Sequence, residues 1–154
     1  MPDKYFVDTN ILMYAHDRSA GMKHERARQL IERLWVSGQG VLSMQVLQEL
    51  CINLRRKIAG PPPIEEVRRL IQDYLSWEIV INTPASVLQA LEIEVRYKTS
   101  FWDAQVLQAA ESSGAAVLYS EDLAEGQKYG PIHVINPLSH PGPLPSISSQ
   151  IRPG

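Results

Sequence analysis

Tyr5-Phe6-Val7-Asp8-Thr9-Asn10-Ile11-Leu12-Met13-Tyr14-Ala15 carries much of what the sequence says about the fold. Its first three residues are a short apolar run that reads as a buried strand, and Asp8-Thr9-Asn10 end it with turn-forming side chains. Over residues 11–15 the pattern becomes that of a short helix. A strand that breaks on an acid and passes straight into a helix is the opening of an α/β unit. In open α/β sheets ligands bind beyond the carboxyl ends of the strands, so Asp8 stands where chemistry is expected.

Outward from this stretch, strands and helices alternate. Residues 23–36 place Ala27, Leu30, Ile31, Leu34 and Trp35 on one helical stripe, and Gly38 and Gly40 end it. Val41-Leu42-Ser43 reads as a second strand, feeding a helix over residues 44–58 with Leu47, Leu50, Cys51, Leu54 and Ile58 on its apolar side. Gly60-Pro61-Pro62-Pro63 is a hard break before a helix at 64–75. Glu78-Ile79-Val80-Ile81 is a third strand, and Thr83-Pro84 caps a helix reaching Tyr97. Ser100 caps another at 101–113, Gly114 stops it, and residues 115–119 are apolar throughout, as an interior parallel strand should be. His133-Val134-Ile135 fits a fifth strand, at an edge. The expectation is an α/β domain over residues 1–138, with a central, mostly parallel sheet of four to five strands and helices on both faces. There is no internal repeat. The Pro- and Ser-rich stretch at 139–154 offers no core-forming pattern and is expected to be a surface or mobile tail.

Composition narrows the class. A chain of 154 residues with 44% hydrophobic content can bury one ordinary core. Its apolar runs are too short to cross a bilayer, and Met1-Pro2-Asp3-Lys4 does not resemble a signal peptide, so an unexported, cytoplasmic protein is expected. A single cysteine, Cys51, excludes an intrachain disulfide and is expected as a small buried hydrophobe. A net charge of −2 argues against binding nucleic acid through overall charge. Local basic groups at Arg55-Arg56-Lys57, Arg68-Arg69 and Arg96-Tyr97-Lys98 could serve instead, although each also fits a solvated helix face.

Four acids fall near the strand ends. Asp8 follows the first strand, and Glu49 lies in the second turn of the helix after the second. Asp103 is in the first turn of the helix before the fourth strand, and Asp122 lies just beyond that strand. Each has an ordinary reading: an Asx-turn for Asp8, solvent exposure for Glu49, a first-turn acid favoured by the helix dipole for Asp103, and a turn for Asp122. Together they could share one cleft. Packed carboxylates repel and raise one another's pKa, which a hard divalent ion such as Mg²⁺ or Mn²⁺ would relieve. Such an ion held between carboxylates and phosphate oxygens suits phosphodiester hydrolysis. His16, His24, His133 and His140 are scattered without metal-ligand spacing.

The segments Phe6-Val7-Asp8-Thr9-Asn10-Ile11-Leu12, Gln48-Glu49-Leu50, Phe101-Trp102-Asp103-Ala104 with Ala109-Ala110, and Tyr119-Ser120-Glu121-Asp122-Leu123 resemble, in order and spacing, the successive motifs of PIN domains. Among these they are most similar to the VapC-type toxin ribonucleases of bacterial toxin–antitoxin pairs. The resemblance implies a PIN-like three-layer fold and a metal-bound acidic quartet at Asp8, Glu49, Asp103 and Asp122, with Thr9, Asn10 and Ser120 as supporting polar groups. It also implies RNA cleavage, a homodimer and inhibition by a cognate antitoxin. Glu121 competes with Asp122 for the fourth place. Rival readings are a non-catalytic RNA- or protein-binding module, a nuclease acting on DNA, and a phosphatase with Asp8 as nucleophile. The last usually carries a second acid two residues on, where Asn10 stands here.

Overall fold

The computed structural model describes residues 3–139. Strands β1 (Tyr5–Val7), β2 (Gly40–Ser43), β3 (Glu78–Val80), β4 (Val117–Tyr119), β5 (Lys128–Tyr129) and β6 (Ile132–Ile135) form one sheet in the order β3-β2-β1-β4-β6-β5. All neighbours are parallel except β5 and β6. Helices α1 (Thr9–His16), α2 (Met22–Ser37), α3 (Met44–Arg56), α4 (Ile64–Tyr74), α5 (Pro84–Tyr97) and α6 (Phe101–Ser113) make the connections. The expected mostly parallel α/β architecture is therefore present, with one strand more than the four to five expected. Lys128-Tyr129 folds back on Ile132-His133 through a turn at Gly130, whose φ of 61° suits glycine. β6 is thus an inner strand and not the expected edge. Two residues are too few for any hydrophobic period to reveal.

Local chemistry sets the element boundaries. Ser43, Thr83 and Ser100 cap α3, α5 and α6 by accepting the backbone N–H of Val46, Ser86 and Asp103. Gly38 and Gly114 end α2 and α6 in the left-handed conformation. The stripes point inward as expected at Ala27, Leu30, Ile31 and Leu34 of α2 and at Leu47, Leu50 and Leu54 of α3, whereas Trp35, expected on the α2 stripe, is 39% exposed at its margin. Cys51 is only half-buried, because it lies at the margin of the α3 stripe and not at its centre. The tail beyond Ser139, including His140, lies outside the described residues. Among the described residues no helix is long and apolar enough to cross a membrane.

A second feature lies at the start of β2. A Cβ added at Gly40 would overlap the Trp77 ring. Trp77 belongs to an aromatic cluster with Trp35 and Tyr74, whose ring centroids are 4.9 to 5.4 Å apart. His16, the last residue of α1, meets Tyr74 edge-on, with its Nε2 2.7 Å from the phenol oxygen. Burial, and secondarily His24, push the His16 imidazole down to about 4.

Candidate active site

Strand register builds the site. Val7 pairs with Tyr119, so the next residues, Asp8 and Ser120, emerge side by side at the carboxyl ends of β1 and β4. Asp8 caps α1: its Oδ1 accepts the Thr9 N–H at 2.7 Å, and its Oδ2 accepts the Ser120 hydroxyl at 2.9 Å. The Asx reading and the site reading of Asp8 are therefore compatible. The Thr9 hydroxyl donates to Glu49 Oε2 at 3.0 Å, and Gln45 Nε2 donates to Glu49 Oε1 at 2.7 Å. Asn10 Nδ2 donates to Asp122 Oδ2 at 2.9 Å, while Asn10 Oδ1 accepts the Glu121 N–H at 3.2 Å. The three supporting residues thus each hold a different acid: Ser120 holds Asp8, Thr9 holds Glu49, and Asn10 holds Asp122.

All four acids line a single open cleft of about 720 Å³. Asp8 is 6% exposed, and burial drives its carboxyl up to about 7. The hydrogen bonds from Ser120 and Thr9 oppose that rise, and the charges of Glu49 and Asp122 add to it. Asp103, half-buried in the first turn of α6, is also raised, by burial and then by Asp122 and Glu49, with Ser100 opposing. Each of the two raised acids therefore feels the same two neighbours.

Glu121 is engaged elsewhere. Its Oε1 accepts the Tyr14 hydroxyl at 2.9 Å, and its Oε2 pairs with Lys23 Nζ at 2.7 Å. The Lys23 ammonium also sits 5.0 Å from the Tyr14 ring centroid. Of the basic groups singled out in the sequence, only Arg55-Arg56-Lys57 reaches the cleft, through Lys57.

The donor set suits a hard cation: carboxylate oxygens, with Gln45 Oε1 buried nearby and without a hydrogen-bond partner among the described residues. Among the described residues, no three His, Cys, Asp or Glu side chains already stand together as a ready-made ligand group. Mg²⁺ asks for less than such a cage, since it keeps several waters and takes one or two carboxylates plus substrate phosphates. On donor chemistry the residues fit.

Sequence reasoning missed Gln45, Tyr14, Lys23 and Trp102. For Gln45 the i, i+4 spacing to Glu49 is a usable signal. Trp102 and Tyr14 lie next to or one helical turn from Asp103 and Asn10, but no local pattern marks them, and Lys23 reaches Glu121 across 98 residues.

A model of the PIN domain matches residues 5–124. No curated protein matches in sequence. Among solved structures the chain is similar to the VapC20 toxin of Mycobacterium tuberculosis, described as cleaving the sarcin–ricin loop: 24% identity, TM-score 0.61, 77% of this chain and 90% of that one. It is similar to a chain of a toxin–antitoxin complex from Klebsiella pneumoniae at 17% identity and TM-score 0.66, covering 87% of this chain and 98% of that one. A chain of the DNA-bound VapBC of Salmonella typhimurium matches at 16% identity and TM-score 0.60, over 86% of this chain and 97% of that one. At such identities the likeness is one of fold.

Proposed function

Because the chain belongs to the PIN domain family, we propose that it is a Mg²⁺- or Mn²⁺-dependent endoribonuclease that hydrolyses RNA phosphodiester bonds as the toxin of a toxin–antitoxin pair. One observation carries the reading: Asp8, Glu49, Asp103 and Asp122, from separate elements, line one open cleft, with the Asp8 carboxyl raised to about 7. A shared cation is the simplest reason for a fold to gather like charges at this expense.

Asp8, Glu49, Asp103 and Asp122 are the residues that would hold the ion. Bound there, a hard divalent cation supplies Lewis acidity toward water and toward phosphate oxygens. The chain's own groups supply orientation. Ser120 and the Thr9 amide fix both oxygens of Asp8. The Thr9 hydroxyl and Gln45 fix Glu49, and Asn10 turns Asp122. Lys23 and Tyr14 already engage Glu121, so Asp122 is the fourth acid in this reading. Without a cation the same acids would repel a substrate phosphate.

In the same proposal, residues 1–138 form the nuclease domain and 139–154 a tail, and the protein works in the cytoplasm as a homodimer restrained by a cognate antitoxin. The similar folds found in toxin–antitoxin complexes support the partner. The deciding experiment incubates purified protein with RNA and Mg²⁺ or Mn²⁺, with and without chelator, beside Asp8→Asn. Cleavage that needs the ion and Asp8 is the expected result. Undiminished cleavage in chelator, or by Asp8→Asn, sinks the reading. Co-expression with the product of the neighbouring reading frame should relieve growth arrest caused by the wild type.

A further inference from the structure

The cleft is poorly equipped to hold RNA by charge. Six carboxylates line it, from Asp8, Asp17, Glu49, Asp103, Glu121 and Asp122, and among the described lining residues Lys57 is the one cation. A bound divalent ion would offset part of this excess at the reacting phosphate and leave the flanking nucleotides unattended. Trp102 stands beside these acids. It lies in the first turn of α6, directly before Asp103, and lines the cleft while remaining 64% exposed. The other two tryptophans, Trp35 and Trp77, pack into the aromatic cluster at the start of β2.

An indole left in water at a cleft forgoes the gain of burial. Trp102 is also held in place. Its carbonyl accepts from Gln45 Nε2 at 3.4 Å, the same nitrogen that holds Glu49, and its ring meets Phe101 edge-on at 5.7 Å. The backbone under the indole is thus tied to the acid site, which fixes where a flat ligand would lie relative to Glu49 and Asp103. A rigid aromatic face at the rim of a phosphate-handling cleft suits a nucleobase, because stacking needs no charge and accepts any base.

We propose that Trp102 is a substrate-binding residue on which an unpaired RNA base stacks beside the scissile phosphate. The assignment rests on the ribonuclease reading and adds to it a residue that positions the substrate. Bases inside an A-form duplex already stack on their neighbours, so the base that Trp102 receives is an unpaired one.

The test uses a fluorescent single-stranded RNA oligonucleotide, Ca²⁺ in place of Mg²⁺ for equilibrium binding, and Mg²⁺ for cleavage. Trp102→Ala should weaken binding roughly 10- to 100-fold, while Trp102→Phe should retain most of the affinity. In cleavage the alanine variant should lose through KM more than through kcat. An abasic site moved along the oligonucleotide should weaken wild-type binding at one position, and that penalty should vanish in Trp102→Ala. RNA should quench the intrinsic fluorescence of the wild type and leave that of Trp102→Phe nearly unchanged. Unaltered affinity in Trp102→Ala, or an abasic penalty that survives it, overturns the proposal. Because Trp102 is exposed, a melting temperature within a few degrees of wild type will show that the variant is folded. A protein that binds with the Trp102-dependent penalty but never cuts sinks the ribonuclease reading and supports stacking. One that cuts RNA indifferently to Trp102 does the reverse.

Discussion

Helix α1 begins on Asp8 and ends on His16, and the surroundings of its two ends are built on different principles. At the Asp8 end, polar groups from the β1–α1 junction, α1, α3, α6 and the segment after β4 converge, and burial and neighbouring acids work against ionisation. At the His16 end, Trp35, Tyr74 and Trp77 interlock over Gly40, and the imidazole sits neutral against a phenol. One end buries a titratable side chain and the other half-buries one. The difference teaches where the fold gains stability and where it gives some up: the aromatic end contributes packing, and the acidic end holds repulsion that only a cation or a proton relieves.

The sharpest way to separate the two ends is Asp8→Asn. RNA cleavage should fall by about 100-fold or more, since loss of even an outer partner of a metal ligand costs 10- to 100-fold. Metal-free stability at pH 8 should rise at the same time, by roughly 2–4 kcal/mol in denaturant titrations. The sign follows from a carboxyl whose folded value, about 7, lies above its ordinary 3.8. Between those values the folded state keeps a proton that the unfolded chain has lost, so wild-type stability falls as pH rises through 7, and the amide removes that slope. A variant that loses activity and stability together would break the comparison.

Trp77→Ala is the complementary change. It should lose about 3 kcal/mol of stability and leave cleavage per folded molecule unchanged. His16 adds a pH test of opposite sign. Its folded value of about 4 lies below the ordinary 6.5, so its contribution is present above 6.5 and fades as pH falls toward 4. Over that window roughly 2–3 kcal/mol should be lost, and His16→Gln should flatten the acid limb of a stability–pH profile. The smallest effect expected is from the ion itself. Mg²⁺ or Mn²⁺ at ten times its Kd should raise the wild-type Tm by roughly 4 °C, and that of Asp8→Asn by much less.

The two ends were not equally legible in the sequence. The acids could be located because chemistry and strand ends coincide: Asp8 follows an apolar triplet, Asp103 sits three residues after a cap, and Asp122 lies just beyond an apolar run. The resemblance named Thr9, Asn10 and Ser120 as supporting groups, but not which acid each would hold, because Thr9 reaches Glu49 across 40 residues and Ser120 reaches Asp8 across 112. The aromatic cluster left only partial traces. Trp35 lies on the α2 stripe, but nothing local pairs it with Tyr74 and Trp77, and Gly40 reads as a helix stop although its lack of a side chain also admits an indole. The hairpin of β5 and β6 escaped because one of its strands is two residues long.

That hairpin has a consequence for how the molecule behaves among its own copies. It pairs the outer side of β6, leaving the sheet with two margins, β5 of two residues and β3 of three. Each begins with a charged residue, Lys128 on one side and Glu78 on the other, and Glu78 is bridged to Lys4 at 2.8 Å. Short, charged borders make poor templates for strand addition, the usual route from crowding to fibrous aggregates. The chain is guarded against self-templating at both sides of its sheet while its cleft stays open.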